Sequence, residues 1–162
     1  MTNPDGDVEE ILYYAVGREV EANVFYNLLS QYIDDAEISA ICNEFASEEL
    51  EHKARLELEI MKLGRVVKPS AALEKSSRAL PKPLDYMLEM AKAMRLNLPE
   101  LLLLAMEKEK ASFRLYVDLL AMVEDEQSRR TLLELAEEEA RHKMRFEIEY
   151  DRLLAGRRQP PV

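Results

Sequence analysis

The segment Glu49-Leu50-Glu51-His52 recurs as Glu139-Ala140-Arg141-His142, and the two segments contain both histidines of the chain. A helix turns about 100° per residue, so Glu and His three positions apart project from one face and their tips can converge. Glu19 precedes Glu49 by 30 residues, and Glu109 precedes Glu139 by the same 30. The order Glu, Glu, His is therefore written twice, at an offset of 90. Two carboxylates and one imidazole, given twice, are the donor inventory of a two-metal site.

The flanking residues read as four helical stripes. Val8, Leu12, Ala15, Glu19, Ala22, Tyr26, Leu29 and Ile33 recur at alternating spacings of four and three. Ile38, Cys42, Phe45, Glu49, His52, Leu56, Ile60 and Leu63 likewise recur at spacings of three and four. A third stripe runs through Glu109, Ser112 and Tyr116, and a fourth through Glu139, His142 and Phe146. Asp7 is placed to cap the first helix. Asp34-Asp35 should turn the chain and cap the second helix, over residues 37–63, which Gly64 ends. Asn97, with Pro99 behind it, opens the third helix, and Gly156 stops the fourth. Asn97 lies 90 residues after Asp7, so the caps are expected to share the repeat.

The repeat extends past the motif. His52-Lys53-x-Arg55-x-Glu57-x-Glu59 is matched by His142-Lys143-x-Arg145-x-Glu147-x-Glu149. A duplicated helix hairpin follows. Two hairpins joined by a long connector, residues 65–97, give an all-α four-helix bundle with one long crossover. The expected layout is a single domain over 1–162, with the bundle at about 7–156 and a disordered tail at 157–162. The connector carries Pro69, Pro81 and Pro83 and then a short helix over residues 84–95. There Met87, Met90 and Met94 share a face, with Ala91 beside them, and are expected to plug the open side of the bundle.

A length of 162 residues suits one domain with a substantial core. The net charge of −10 argues against nucleic acid or an anionic membrane as partner. The charge is uneven: residues 1–64 carry 15 acids against 4 bases, net −11, whereas residues 65–98 carry 3 against 7, net +4. Cys42 is the one cysteine, which rules out an internal disulfide or a four-cysteine iron site within this sequence and places Cys42 in the core. The opening residues lack the basic and apolar blocks of a signal peptide, no run approaches a membrane span, and a cytoplasmic location is expected.

Carboxylates on apolar stripes are costly to bury, at several kcal/mol each unless paired. No Lys or Arg falls on the four stripes. Two divalent cations would balance Glu19, Glu49, Glu109 and Glu139, with His52 and His142 binding as neutral imidazoles. A mixed oxygen and nitrogen set suits iron, manganese or a mixed pair better than thiolate-seeking ions, and two iron ions are the expectation.

At these residues the sequence resembles the ferritin-like di-iron carboxylate proteins, and among them the rubrerythrin-like group. The motifs are Glu19-x-x-Ala22-x-x-x-Tyr26, Glu49-x-x-His52, Glu109-x-x-Ser112-x-x-x-Tyr116 and Glu139-x-x-His142. The resemblance implies that Glu49 and Glu139 bridge two ions, with Glu19 and His52 completing one and Glu109 and His142 the other. It also implies that Tyr26 and Tyr116 hydrogen-bond ligand carboxylates. Two features depart from the group. Ser112 stands where rubrerythrins carry an extra glutamate, and the four cysteines of a rubredoxin domain are not in this sequence. The first moves the ligand set toward bacterioferritins and the ribonucleotide reductase small subunit. The implied function is a redox enzyme acting on O2 or H2O2 with an external electron donor, serving peroxide detoxification. The alternatives are a ferroxidase that oxidises and delivers Fe2+, and a metal bundle without turnover. A homodimer is expected by the same resemblance.

Overall fold

The computed structural model describes residues 4–64 and 90–158. It consists chiefly of four long helices: α1 Pro4–Tyr32, α2 Ala36–Lys62, α3 Leu98–Met122 and α4 Glu126–Arg158. α1 packs along α2 and α3 along α4, and the hairpins meet through α1 against α3 and α2 against α4. This is the all-α four-helix bundle that the stripes predict.

Two boundaries repeat at the 90-residue offset. α1 ends at Tyr32 and α3 at Met122, and α2 begins at Ala36 and α4 at Glu126. In each turn an aspartate closes the next helix. Asp35 accepts from the Ile38 amide at 3.0 Å and Asp125 from the Ser128 amide at 2.9 Å. Each removes one of the unsatisfied donors of a helix start. Asn97 opens α3 with a capping box: its side chain accepts from the Glu100 amide at 3.0 Å while Glu100 reaches back to the Asn97 amide.

The outer ends do not repeat, and two expected caps fail there. α1 is already helical at Pro4, so Asp7 lies inside the helix. Proline is suited to a first turn, because its φ is preset and its missing N–H has no helical acceptor to lose. At the other end α4 runs through Gly156 to Arg158. α2 stops because Gly64 takes φ +76°, a left-handed position, with its amide bonded to the Met61 carbonyl at 2.9 Å. The counterpart of Gly64 is Leu154, a side chain that disfavours that conformation, so the helix continues.

Two apolar clusters fill the bundle, one at each end. Phe25, Tyr26, Phe45, Leu101, Leu102 and Phe146 form the first. Leu12, Leu56, Ile60, Leu119, Leu132 and Leu135 form the second. The N-terminal half of α2 packs in the first cluster and its C-terminal half in the second. α3 begins in the first, so the link between the hairpins joins opposite ends of the bundle, as a long crossover requires. Residues 90–93 are helical, and Met90 and Ala93 are buried in the first cluster. Met94 and Ala91 are exposed, so the face that packs is Met90 with Ala93 rather than the expected methionine row. Spacing of three rather than four selects that face. Met87 and the rest of the connector over residues 65–89 lie outside the described residues, as do residues 159–162 of the expected tail. Among the described residues, no helix is long and apolar enough to cross a membrane.

Candidate metal centre

Between the two apolar clusters lies one polar layer. Glu19 of α1, Glu49 and His52 of α2, Glu109 of α3 and Glu139 and His142 of α4 are all at most 3% exposed. Each reaches the middle because its stripe is apolar above and below it, so burying the stripe carries the polar residue inward. All six residues named from the sequence come together here.

Their donor atoms form two groups. Glu19, Glu49, His52 and Glu139 offer atoms within 4.8 Å of one another, and so do Glu49, Glu109, Glu139 and His142. Glu49 and Glu139 belong to both. His52 Nδ1 lies 2.8 Å from Glu139, 3.2 Å from Glu49 and 3.8 Å from Glu19. His142 Nδ1 lies 3.1 Å from Glu49 and 3.6 Å from Glu109. The two imidazole rings are nearly parallel, with centroids 5.7 Å apart.

Both histidines point Nδ1 into the layer because Nε2 is held from outside it. His52 Nε2 contacts Glu138 at 2.6 Å, and His142 Nε2 contacts Glu48. Each glutamate reaches the histidine of the opposite helix. Glu138 is itself held by Arg55 at 3.0 Å. The Phe45 ring stacks on His142, centroid to centroid at 3.9 Å. The tyrosines cross between the hairpins as well: Tyr26 donates to Glu109 and Tyr116 to Glu19. Glu48 and Glu138 were visible in the sequence as part of the repeated doublets Glu48-Glu49 and Glu138-Glu139. Only the packing of α2 on α4 assigns them to the imidazoles. Glu59 and Glu149, also 90 apart, are buried and likewise absent from the stripes. They sit seven residues past each histidine, on its own face, and are met by Lys62 at 2.8 Å and by Arg152.

The layer is under electrostatic tension. Burial raises Glu19 well above the usual carboxylate range, and the Glu49 charge adds to it. Burial likewise raises Glu139, reinforced by Glu109 and Glu19. Glu49 goes the other way: burial opposes its charge, but contacts with Glu19, His142 and His52 outweigh it and hold the carboxyl well below that range. Burial would lower His142, yet Glu109 and Glu49 raise it to about 10. His52 is raised further, by Glu139, Glu19 and Glu49 against burial. The shifts all favour protons being shared within the layer, on Glu19, Glu139 and the two imidazoles, over four separate buried carboxylate charges.

Protons do not satisfy it. Glu19 Oε2, both Glu49 oxygens, Glu109 Oε2 and His142 Nδ1 are buried without a hydrogen-bond partner. Several of these atoms lie close to one another without forming hydrogen bonds. Buried polar atoms are almost always paired, so a cluster of them is a cavity for something else. Carboxylate oxygens and neutral imidazole nitrogens are metal donors, and imidazole nitrogens braced by carboxylates are the usual outer support of such donors. The layer fits a metal site.

A four-helix bundle with Glu-x-x-His on two helices and Glu on the other two defines the ferritin-like class. The family model for rubrerythrin matches residues 10–150, and the chain belongs to the rubrerythrin family. A hypothetical protein from Pyrococcus furiosus has the same fold, with a TM-score of 0.71 and 25% identity over 91% of this chain and 90% of that one. No curated protein gives a significant match.

Proposed function

We propose that this chain is a di-iron redox protein that reacts with O2 or H2O2 and draws electrons from an external donor. The observation that carries the reading is the pair of four-donor groups sharing Glu49 and Glu139. In this reading Glu19, Glu49, His52 and Glu139 would hold one ion, and Glu49, Glu109, Glu139 and His142 would hold the other, with Glu49 and Glu139 common to both. A mixed carboxylate and imidazole set favours iron, with manganese or a mixed pair as the chemical alternatives. Two iron ions supply the two electrons that reduction of a peroxide bond consumes.

The chain's own part is to hold and to exclude. Glu48 and Glu138 keep each imidazole turned with Nδ1 inward. Tyr26 and Tyr116 hold one oxygen of Glu109 and of Glu19, leaving the other free to bind. The apolar clusters above and below keep bulk water from the layer. The sole cysteine, Cys42, is buried with its thiol pushed up to about 12, so it stays protonated and outside the redox chemistry. A reducing compartment, the cytoplasm, suits that arrangement.

Ser112 supports a second reading, a ferroxidase that oxidises and passes on Fe2+. It lines the narrow cleft between α1 and α3 that leads to Glu109 and Glu139, where the family's extra glutamate would stand. The groove between α2 and α4 reaches His142 and is lined by Glu44, Glu48, Glu51 and Glu138 together with Arg55, Arg141 and Arg145. Anaerobic loading with Fe2+ followed by rapid mixing with O2 and, separately, H2O2 distinguishes the two. Faster oxidation by H2O2 supports peroxide reduction, and faster oxidation by O2 with turnover beyond two ions supports the ferroxidase. Slow or absent optical change with both oxidants would overturn the redox assignment.

A further inference from the structure

The internal duplication supplies its own control for the metal centre. Positions 90 apart sit at equivalent places on the two hairpins, so a difference between them is not demanded by the fold. The six inward donors match pair for pair. Their outer supports do not. Glu138, which contacts His52 Nε2 at 2.6 Å, is held by Arg55 at 3.0 Å, with Arg141 at 3.9 Å. Glu48, which contacts His142 Nε2, is met by no lysine or arginine among the described residues. The counterpart of Arg55 is Arg145, and it lies 3.9 Å from Glu149 instead. The counterpart of Arg141 is Glu51, an acid three residues from Glu48. Glu48 is also the more open of the two, with its side chain 35% exposed against 22% for Glu138. Access is uneven in the same sense. The groove between α2 and α4, about 510 Å3, is lined by Glu48 and His142. The cleft between α1 and α3 ends on Glu109 and Glu139 with about 10 Å3 of space, the size of about one water. Neither opening is lined by Glu19 or His52.

We infer that the two ion positions are unequal: the one built on Glu19 and His52 keeps its ion, and the one built on Glu109 and His142 exchanges it. An imidazole donor is kept on its metal by the group behind it, and losing that group costs about 10–100-fold in affinity. Arg55 and Arg141 restrain Glu138, so His52 stays turned inward. Glu48 has His142 alone to hold it and an open groove to turn into. An ion leaving Glu109 and His142 meets both openings, and one leaving Glu19 and His52 meets neither. Arg55 is thus a positioning residue that acts on the ion through Glu138 and His52. The divalent cation at Glu109 and His142 has the part of a transient cargo, and the one at Glu19 and His52 that of a resident cofactor. The inference rests on the two-ion reading above and on neither choice of oxidant.

Cobalt(II) is the probe, because its visible absorption reports the ligands around it. Crystals of the metal-free protein given one equivalent per chain, measured at the cobalt absorption edge, should show the ion between Glu19 and His52. The protein loaded with two equivalents and mixed with excess chelator should release one ion at least about tenfold faster than the other. Arg55→Gln should speed the slow phase toward the fast one, and Arg55→Lys should restore part of the gap. Glu48→Gln should speed the fast phase alone. Glu138→Gln stands in for Arg55→Gln if that variant does not fold, which circular dichroism of the metal-free protein decides. A first ion found at Glu109 and His142, a single release phase for two bound ions, or wild-type release of both ions from Arg55→Gln would overturn the inference and leave the two-ion reading standing. Saturation at fewer than two ions per chain would overturn that reading and the inference with it.

Discussion

At the scale of single residues, the layer's behaviour follows from protons standing where ions belong. Burial and neighbouring charge favour the protonated forms of Glu19 and Glu139, and the neighbouring carboxylates favour the protonated form of His142, so bound ions would compete with protons there. Loading should therefore release protons, and affinity should rise with pH and fall in acid. Calorimetric titration in buffers of different ionisation enthalpy measures the release. The metal-free protein has the opposite slope. His142 titrates near 10 in the fold against 6.5 for a free imidazole, so its contribution is complete below about 6.5 and is lost as pH rises through about 10. The melting temperature of the metal-free protein should accordingly decline across that window, relative to the loaded form. Tyr26→Phe leaves a Glu109 oxygen without its donor. It should cost about 1–3 kcal/mol in stability and weaken metal binding by roughly 10–100-fold. Tyr116→Phe should match it through Glu19, and urea melts with metal titration of the two variants provide the check.

At the scale of elements, the helix ends separate what the sequence could tell from what it could not. The inner turns were legible because Asp35 and the stripe that follows it make one local signal. The outer ends were not. Asp7 looks like a cap, yet Pro4 starts the helix three residues earlier, and Gly156 looks like a stop, yet lies at a place where the repeat has no left-handed residue. Local capping chemistry is a preference of under about 2 kcal/mol, and neighbouring turns can override it. The two aspartates therefore make a matched test. Asp35→Ala should cost about 1 kcal/mol, whereas Asp7→Ala, exposed and inside a helix, should stay within about 0.5 kcal/mol. The apolar clusters carry more: Leu56→Ala or Leu135→Ala, each at 0% exposure, should cost about 2–5 kcal/mol in chemical denaturation.

At the scale of the molecule, the duplication makes the bundle and the six central residues legible in the sequence. A Glu or His on an apolar stripe is ambiguous alone, but six at matched levels leave one arrangement. Contacts made between hairpins escaped that logic. Nothing along the chain pairs Glu138 with His52, or Tyr26 with Glu109 rather than Glu19, because those partners are 86 and 83 residues apart and only the packing of helices chooses them. Glu59 and Glu149 escaped for a different reason: their cations, Lys62 and Arg152, lie three residues on along the same helix and permit burial that an apolar pattern does not anticipate. Since the buried donors of the central layer lack partners without metal, loading should raise the melting temperature of the whole bundle, and a chelator should reverse the gain.

The central claim is that six residues hold two ions through the shared carboxylates Glu49 and Glu139. Anaerobic equilibrium binding of Fe2+ to the metal-free protein, compared with the double variant Glu49→Ala, Glu139→Ala, tests it most directly. The wild type should bind two ions per chain, and the variant should lose both. Two ions retained by the variant, or no more than one bound by the wild type at saturation, would contradict it.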